Sequence, residues 1–101
     1  MASFAEMLAA DRRLVLLRTL TETNREANEM VLKQGLDHFG HRVASDMVRA
    51  DMAWLAEQGL IRIEKLHAAS GELWLAHLLR TGEDVAEGRA RNPGVARREA
   101  E

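Results

Sequence analysis

Apolar residues recur at helical spacing over roughly the first half of the chain, and then the period drops to two. Residues 3–22 read as helix. "SFAE" at 3–6 fits a capping box in which Ser3 is the N-cap and Glu6 reaches back to it. Phe4, Met7, Leu8, Leu14 and Val15 follow at helical intervals, while Leu16, Leu17 and Leu20 fall on other faces. So wide an apolar surface requires either one central, enclosed helix or a break near Asp11, which would cap a second. "TNRE" at 23–26 reads as another capping box, opening a helix that runs to Phe39 and stops at Gly40. Ala27, Met30, Val31 and His38 form one stripe of it, and Leu32, Leu36 and Phe39 another. Gly35 inside this helix costs about 1 kcal/mol relative to alanine, unless close packing requires the missing side chain.

A third helix is expected from about Ser45 to Gln58. Val48, Met52 and Leu55 form its inward stripe, and Asp46, Arg49, Ala50, Ala53 and Glu57 its outward face. Met47 and Trp54 share a flank, and Gly59 is a natural stop. "LIRIEKL" then alternates Ile61 and Ile63 against Arg62 and Glu64, and "LWLAHLL" alternates Leu73, Leu75 and His77 against Trp74, Ala76 and Leu78. Two such runs about a Ser-Gly turn predict a β-hairpin. A short helix over Leu79–Glu87 ends at Gly88. The remainder, with Pro93 and Gly94, is expected to be disordered. The fold class is thus mostly α with a small β-hairpin: a three-helix core, a two-stranded wing and a short C-terminal helix. That is the winged helix-turn-helix arrangement, over residues 1–88, with a flexible basic C-terminal tail over 89–101.

The chain has 101 residues, enough for one domain. Aromatics are only 4%, so Leu, Val, Met and Ala must build most of the core. The absence of cysteine excludes disulfides and thiolate metal sites and suits the cytoplasm of a bacterial host. No apolar run suggests a membrane span, and the N-terminus lacks a secretion signal. The net charge of −2 mildly opposes nucleic-acid binding. A local basic patch remains open, since "GRARNPGVARREAE" carries four arginines against two glutamates. No phosphate-binding glycine loop or nucleophile motif is present, so neither catalysis nor a cofactor is expected. His38, His41, His67 and His77 lack the spacing of a metal site.

"VASDMVRADMAWLAEQGLI", beginning at Val43, resembles the recognition-helix segment of winged-helix regulators of the DeoR and ArsR types. The spacing of Val48, Arg49, Asp51, Met52, Leu55, Gly59 and Leu60 carries that likeness. "LLRTGEDVAEG" resembles the turn and helix that follow the wing in such domains. Over residues 4–95 the chain resembles the small winged-helix proteins of Mu-like phages and prophages, often labelled ArsR-like. The resemblance implies a homodimer that binds double-stranded DNA, as a transcriptional regulator. It places Arg42, Ser45, Asp46, Arg49 and Ala50 at the DNA-facing positions. Two departures stand out. Ala44 lies where such helices commonly have a Ser or Thr N-cap, unless Ser45 takes that role. Ala50 lies where DeoR-type helices often have a second arginine.

Each candidate has a functional and a plain reading. Arg49 either takes a guanine in the major groove or is a solvated partner of Asp46. Asp46 suits the helix dipole as a first-turn acid, although an acid can also accept from cytosine. Arg42 and His41 either hold a phosphate near the helix N-terminus or are ordinary loop residues. Arg62, Lys65 and His67 on the wing either lie along the DNA backbone or in the minor groove or, offset by Glu64 and Glu72, belong to a near-neutral solvated hairpin. The "RRL" run at Arg12–Leu14 either touches phosphates or is solvated. Phe4, Met7, Leu8, Leu16 and Leu20 are the candidates for a dimer interface. The rival to DNA binding is a winged helix that contacts a phage protein in assembly or packaging, without reading a groove.

Overall fold

Ser3 opens the first helix as its capping box predicts, its hydroxyl accepting the Glu6 N–H at 3.1 Å. In the computed structural model, which describes residues 2–97, that helix, α1 (Phe4–Glu22), runs unbroken through Asp11. Its all-round apolar surface therefore marks a central helix. Leu14, Val15, Leu16, Leu17 and Leu20 are all buried, enclosed by the second, third and last helices and by the sheet.

The expected helix start at Thr23 is corrected. Thr23 instead closes α1, its N–H donating to the carbonyls of Thr19 and Leu20. Asn24 and Arg25 then adopt positive φ (60° and 72°) and turn the chain into a short strand, β1 (Glu26–Asn28). The Arg25 carbonyl accepts the Leu78 N–H at 2.8 Å, so the segment satisfies a backbone donor on the later hairpin. Asn28 is the true cap of α2 (Glu29–His38), its Oδ1 accepting the N–H groups of Met30 at 2.9 Å and Val31 at 3.0 Å. Gly35 is there for packing: a Cβ would stand 2.6 Å from Thr19 Oγ1 of α1.

α3 (Ser45–Glu57) buries Val48, Met52 and Leu55 as its stripe predicts. Its N-cap is Ala44, with no side-chain hydrogen bond, and Ser45 does not take the role. Asp46 accepts the Met47 N–H at 2.9 Å instead. The hairpin of β2 (Ile61–Ala68) and β3 (Gly71–Leu78) turns through Ala69 and Ser70. The wing is not a free two-stranded ribbon. β1 pairs with the far side of β3, giving a three-stranded antiparallel sheet of order β1-β3-β2. The inward side chains of that sheet (Ala27, Ile61, Ala76, Leu78) close the core against the helices. Among the described residues the fold is thus mixed α/β, with four helices and this sheet.

α4 (Arg80–Ala86) follows, packed so closely that a Cβ on Gly82 would lie 2.1 Å from the Leu60 carbonyl oxygen. Residues 89–97 do not behave as a loose tail. Val95 is buried, the Ala96 N–H donates to the Ala10 carbonyl at 3.0 Å, and Arg13 donates to the Gly94 carbonyl at 2.9 Å. The last part of the expected tail, residues 98–101, lies outside the described residues. No helix among the described residues is long and apolar enough to cross a membrane.

Candidate interaction surface around the third helix

Arg49 leaves α3 toward α2 and the sheet. Its Nε and Nη2 donate to the two carboxylate oxygens of Glu29, both at 2.8 Å, and Nη2 also donates to the Glu72 carbonyl at 2.8 Å. The guanidinium stands 4.9 Å from the centre of the Trp74 ring. Glu29 is buried at the first position of α2 and also accepts the Trp74 backbone N–H at 2.7 Å, where β1 has ended and can no longer pair with β3. The hydrogen bond from Arg49 holds the Glu29 carboxyl below the ordinary carboxylate range; burial opposes this and the Trp74 N–H adds to it. Arg49 is correspondingly raised, first by the same hydrogen bond. The planar fork that suits guanine suits a carboxylate equally well, and here Glu29 occupies it.

Of the remaining sequence candidates only Lys65 touches this network. Ser45, Asp46 and Ala50 are exposed on the N-terminal half of α3. Arg42, just before the helix, and Arg62, on β2, are exposed and have no hydrogen bond or ion pair among the described residues. Lys65 Nζ lies 4.6 Å from the centre of the Trp74 ring, within cation–π range. Glu72 accepts the Trp74 indole N–H at 2.7 Å, which with Lys65, His67 and Arg49 holds its carboxyl low against some desolvation. The histidines go to separate places. His41 meets Asp11 at 2.5 Å, and His38 packs edge-on against Phe39. His77 lies between Glu26 (3.2 Å) and Glu64 (2.9 Å).

The "RRL" arginines are committed inside the molecule. Arg12 grips the buried Asp51 of α3 through Nε at 2.7 Å and Nη2 at 3.3 Å. Arg13 lies 3.8 Å over the Trp54 ring, and burial pulls its guanidinium below the ordinary value, opposed by Asp51 and aided by Arg12. The dimer candidates divide. Leu16 and Leu20 are fully buried within the single chain, so their place in an interface is corrected: they fill the core. Phe4 (73% exposed), Met7 (59%) and Leu8 (38%) stay open on the first turns of α1. Met47 is exposed nearby: Arg12, one turn beyond Leu8, reaches its sulfur at 3.5 Å.

Glu29 and Asp51 organise this region, and neither is among the site residues expected from the sequence. Asp51 had a signal: three residues after Val48 and four before Leu55, it sits on the inward stripe of α3. Glu29 had none, because its burial depends on a strand that the chain pattern does not announce.

The same arrangement has relatives. Over 92 residues the chain is 48% identical to the uncharacterized protein gp26 of Escherichia phage Mu, covering 91% of this chain and 92% of that protein. The chain belongs to the family of this phage Mu protein. It is also 48% identical over 64 residues to an uncharacterized protein of Haemophilus influenzae, covering 63% of each chain. No family model matches the sequence, and no solved structure matches it. Its kinship is therefore with proteins of Mu-like phages.

Proposed function

We propose that this chain is a winged-helix-type interaction module of Mu-like phages, which contacts a phage protein in assembly or DNA packaging and does not read bases with α3. The winged-helix reading is supported by the element order, with a short strand after α1 joining the hairpin on the far side of β3. The observation that carries the functional reading is the commitment of Arg49. Glu29 and the Glu72 carbonyl take three of its five N–H donors, and the two that remain, both on Nη1, diverge and cannot form the fork for a guanine edge without breaking the half-buried ion pair. What α3 leaves exposed at its N-terminal half is Ser45, Asp46, Met47 and Ala50, a face with an acid and no free cation. Of the open apolar residues, Phe4, Met7 and Met47 are of the side-chain types enriched at protein interfaces.

A second reading, a DNA-binding regulator, keeps one observation in its favour. Arg42 and Arg62 are exposed and unpaired among the described residues, so both are available to phosphates. Titration of fluorescent duplexes from the host phage genome over a salt series separates the two. The interaction module gives only weak, sequence-indifferent binding, no tighter than about 10⁻⁶ M at physiological salt, and Arg49→Ala leaves it unchanged. Sequence-selective binding that is lost in Arg49→Ala overturns this proposal.

A further inference from the structure

The free long edge of the sheet belongs to β2. Its loop of Ala69 and Ser70 is flanked by the pair Ala68 and Gly71, which in a two-residue hairpin exchanges hydrogen bonds. Alternation then turns the backbone groups of Arg62, Glu64 and Leu66 toward β3, and those of Ile61, Ile63, Lys65 and His67 away from it. Two bonds agree with this parity. The Leu79 N–H donates to the Leu60 carbonyl across the hairpin at 3.1 Å, while the Trp74 N–H, opposite Lys65, turns from β2 to Glu29. Among the described residues the outward backbone groups of Ile63, Lys65 and His67 have no partner.

Natural edges are usually blunted by a bulge, a proline or an outstretched lysine. β2 has continuous register over its length and no proline, and its lysine is drawn over the Trp74 ring. We infer that β2 pairs antiparallel with the β2 of a second copy, with Ile63 on the two-fold axis, joining two sheets into one. Such a pairing must keep the inner faces of both sheets on one side, which allows only registers with a single residue on the axis. With Ile63 there, Arg62 lies opposite Glu64 of the second copy, and this happens twice. Those are the closely spaced, non-hydrogen-bonded positions, where side chains couple best. The two adjacent registers instead place Arg62 against Arg62 or Glu64 against Glu64. Among the described residues Arg62 is unpaired, and Glu64 uses only Oε1, toward His77. Ile63, half-buried at the core margin, meets its own copy on the inner face. This dimer is separate from the open end of α1 and leaves Phe4, Met7 and Leu8 free.

Sedimentation equilibrium of the full chain, from micromolar to millimolar, tests it. The expected result is a shift from 11.3 kDa toward twice that mass. Arg62→Glu and Glu64→Arg should each weaken the dimer by about tenfold, since each sets like charges against one another twice. The R62E/E64R double variant should restore it. In wild-type protein, exchange of the Ile63 and Lys65 amides should slow as concentration rises, a readout that requires no variant to fold. A chain that stays monomeric, amides indifferent to concentration, or a dimer that neither single variant weakens and the double does not rescue, overturns the inference.

Discussion

Asp51 is the clearest case of one residue answering to two demands. The periodicity of α3 places it on the buried stripe, and a carboxylate there is tolerated only because Arg12 wraps it with two hydrogen bonds. Removing one partner strands the other, so Asp51→Ala should cost about 3 kcal/mol in a urea titration followed by circular dichroism. Replacing the pair together should cost much less. Spacing alone reveals which residues face inward, as it does for Val48, Met52 and Leu55. It does not reveal that Arg12, distant in sequence, arrives from α1 to meet the acid. Arg49 teaches the same from the other side. Periodicity assigns it to the outward face of α3, whereas the folded chain packs it against α2 and the sheet, its fork filled by a glutamate that helical spacing on α3 could not supply.

Among elements, β1 decides most. Three residues long, it follows two left-handed positions at Asn24 and Arg25, where neither residue type advertises a strand. Its formation turns a two-stranded wing into the sheet, moves the start of α2 from Thr23 to Asn28, and brings Glu29 beneath Trp74 and Arg49. That junction gives acid stability a predictable sign. Glu29 and Glu72 both have carboxyl groups held below their ordinary values in the folded chain, chiefly by the Arg49 hydrogen bond and the Trp74 indole respectively. Their contribution is fully present above the unfolded value of about 4.3 and is lost as pH falls through the lower folded values. The urea midpoint should therefore drop as pH is lowered below about 4.3, with a change in tryptophan emission as Trp74 loses its partners. In Glu29→Gln the acid slope should flatten. A slope unchanged by that substitution would assign the acid sensitivity to other groups.

For the whole molecule, the chain after α4 matters more than its composition suggests. Pro93, Gly94 and the arginines read as a solvated tail, but Gly94 fits against Trp54 only because it has no Cβ, which would lie 2.3 Å from the ring. Val95 then enters the core, and Ala96 bonds to α1. Truncation after Gly88 should lower stability by about 2 kcal/mol, the order expected for one buried valine and its accompanying hydrogen bonds. It should also shift Trp54 emission to the red. An unchanged urea midpoint would show that the strap is decoration.

What the sequence determined by itself is local and periodic. It specified the Ser3 cap, the inward stripe of α3, the stop at Gly59 and the alternation of the hairpin. Each follows from rules acting within a few residues of chain. Tertiary structure decided the third strand, the burial of Glu29 and Asp51, the capture of Arg49 and the docking of Val95. In each of these a residue finds a partner far along the chain, and which partner it finds depends on how the finished layers come together.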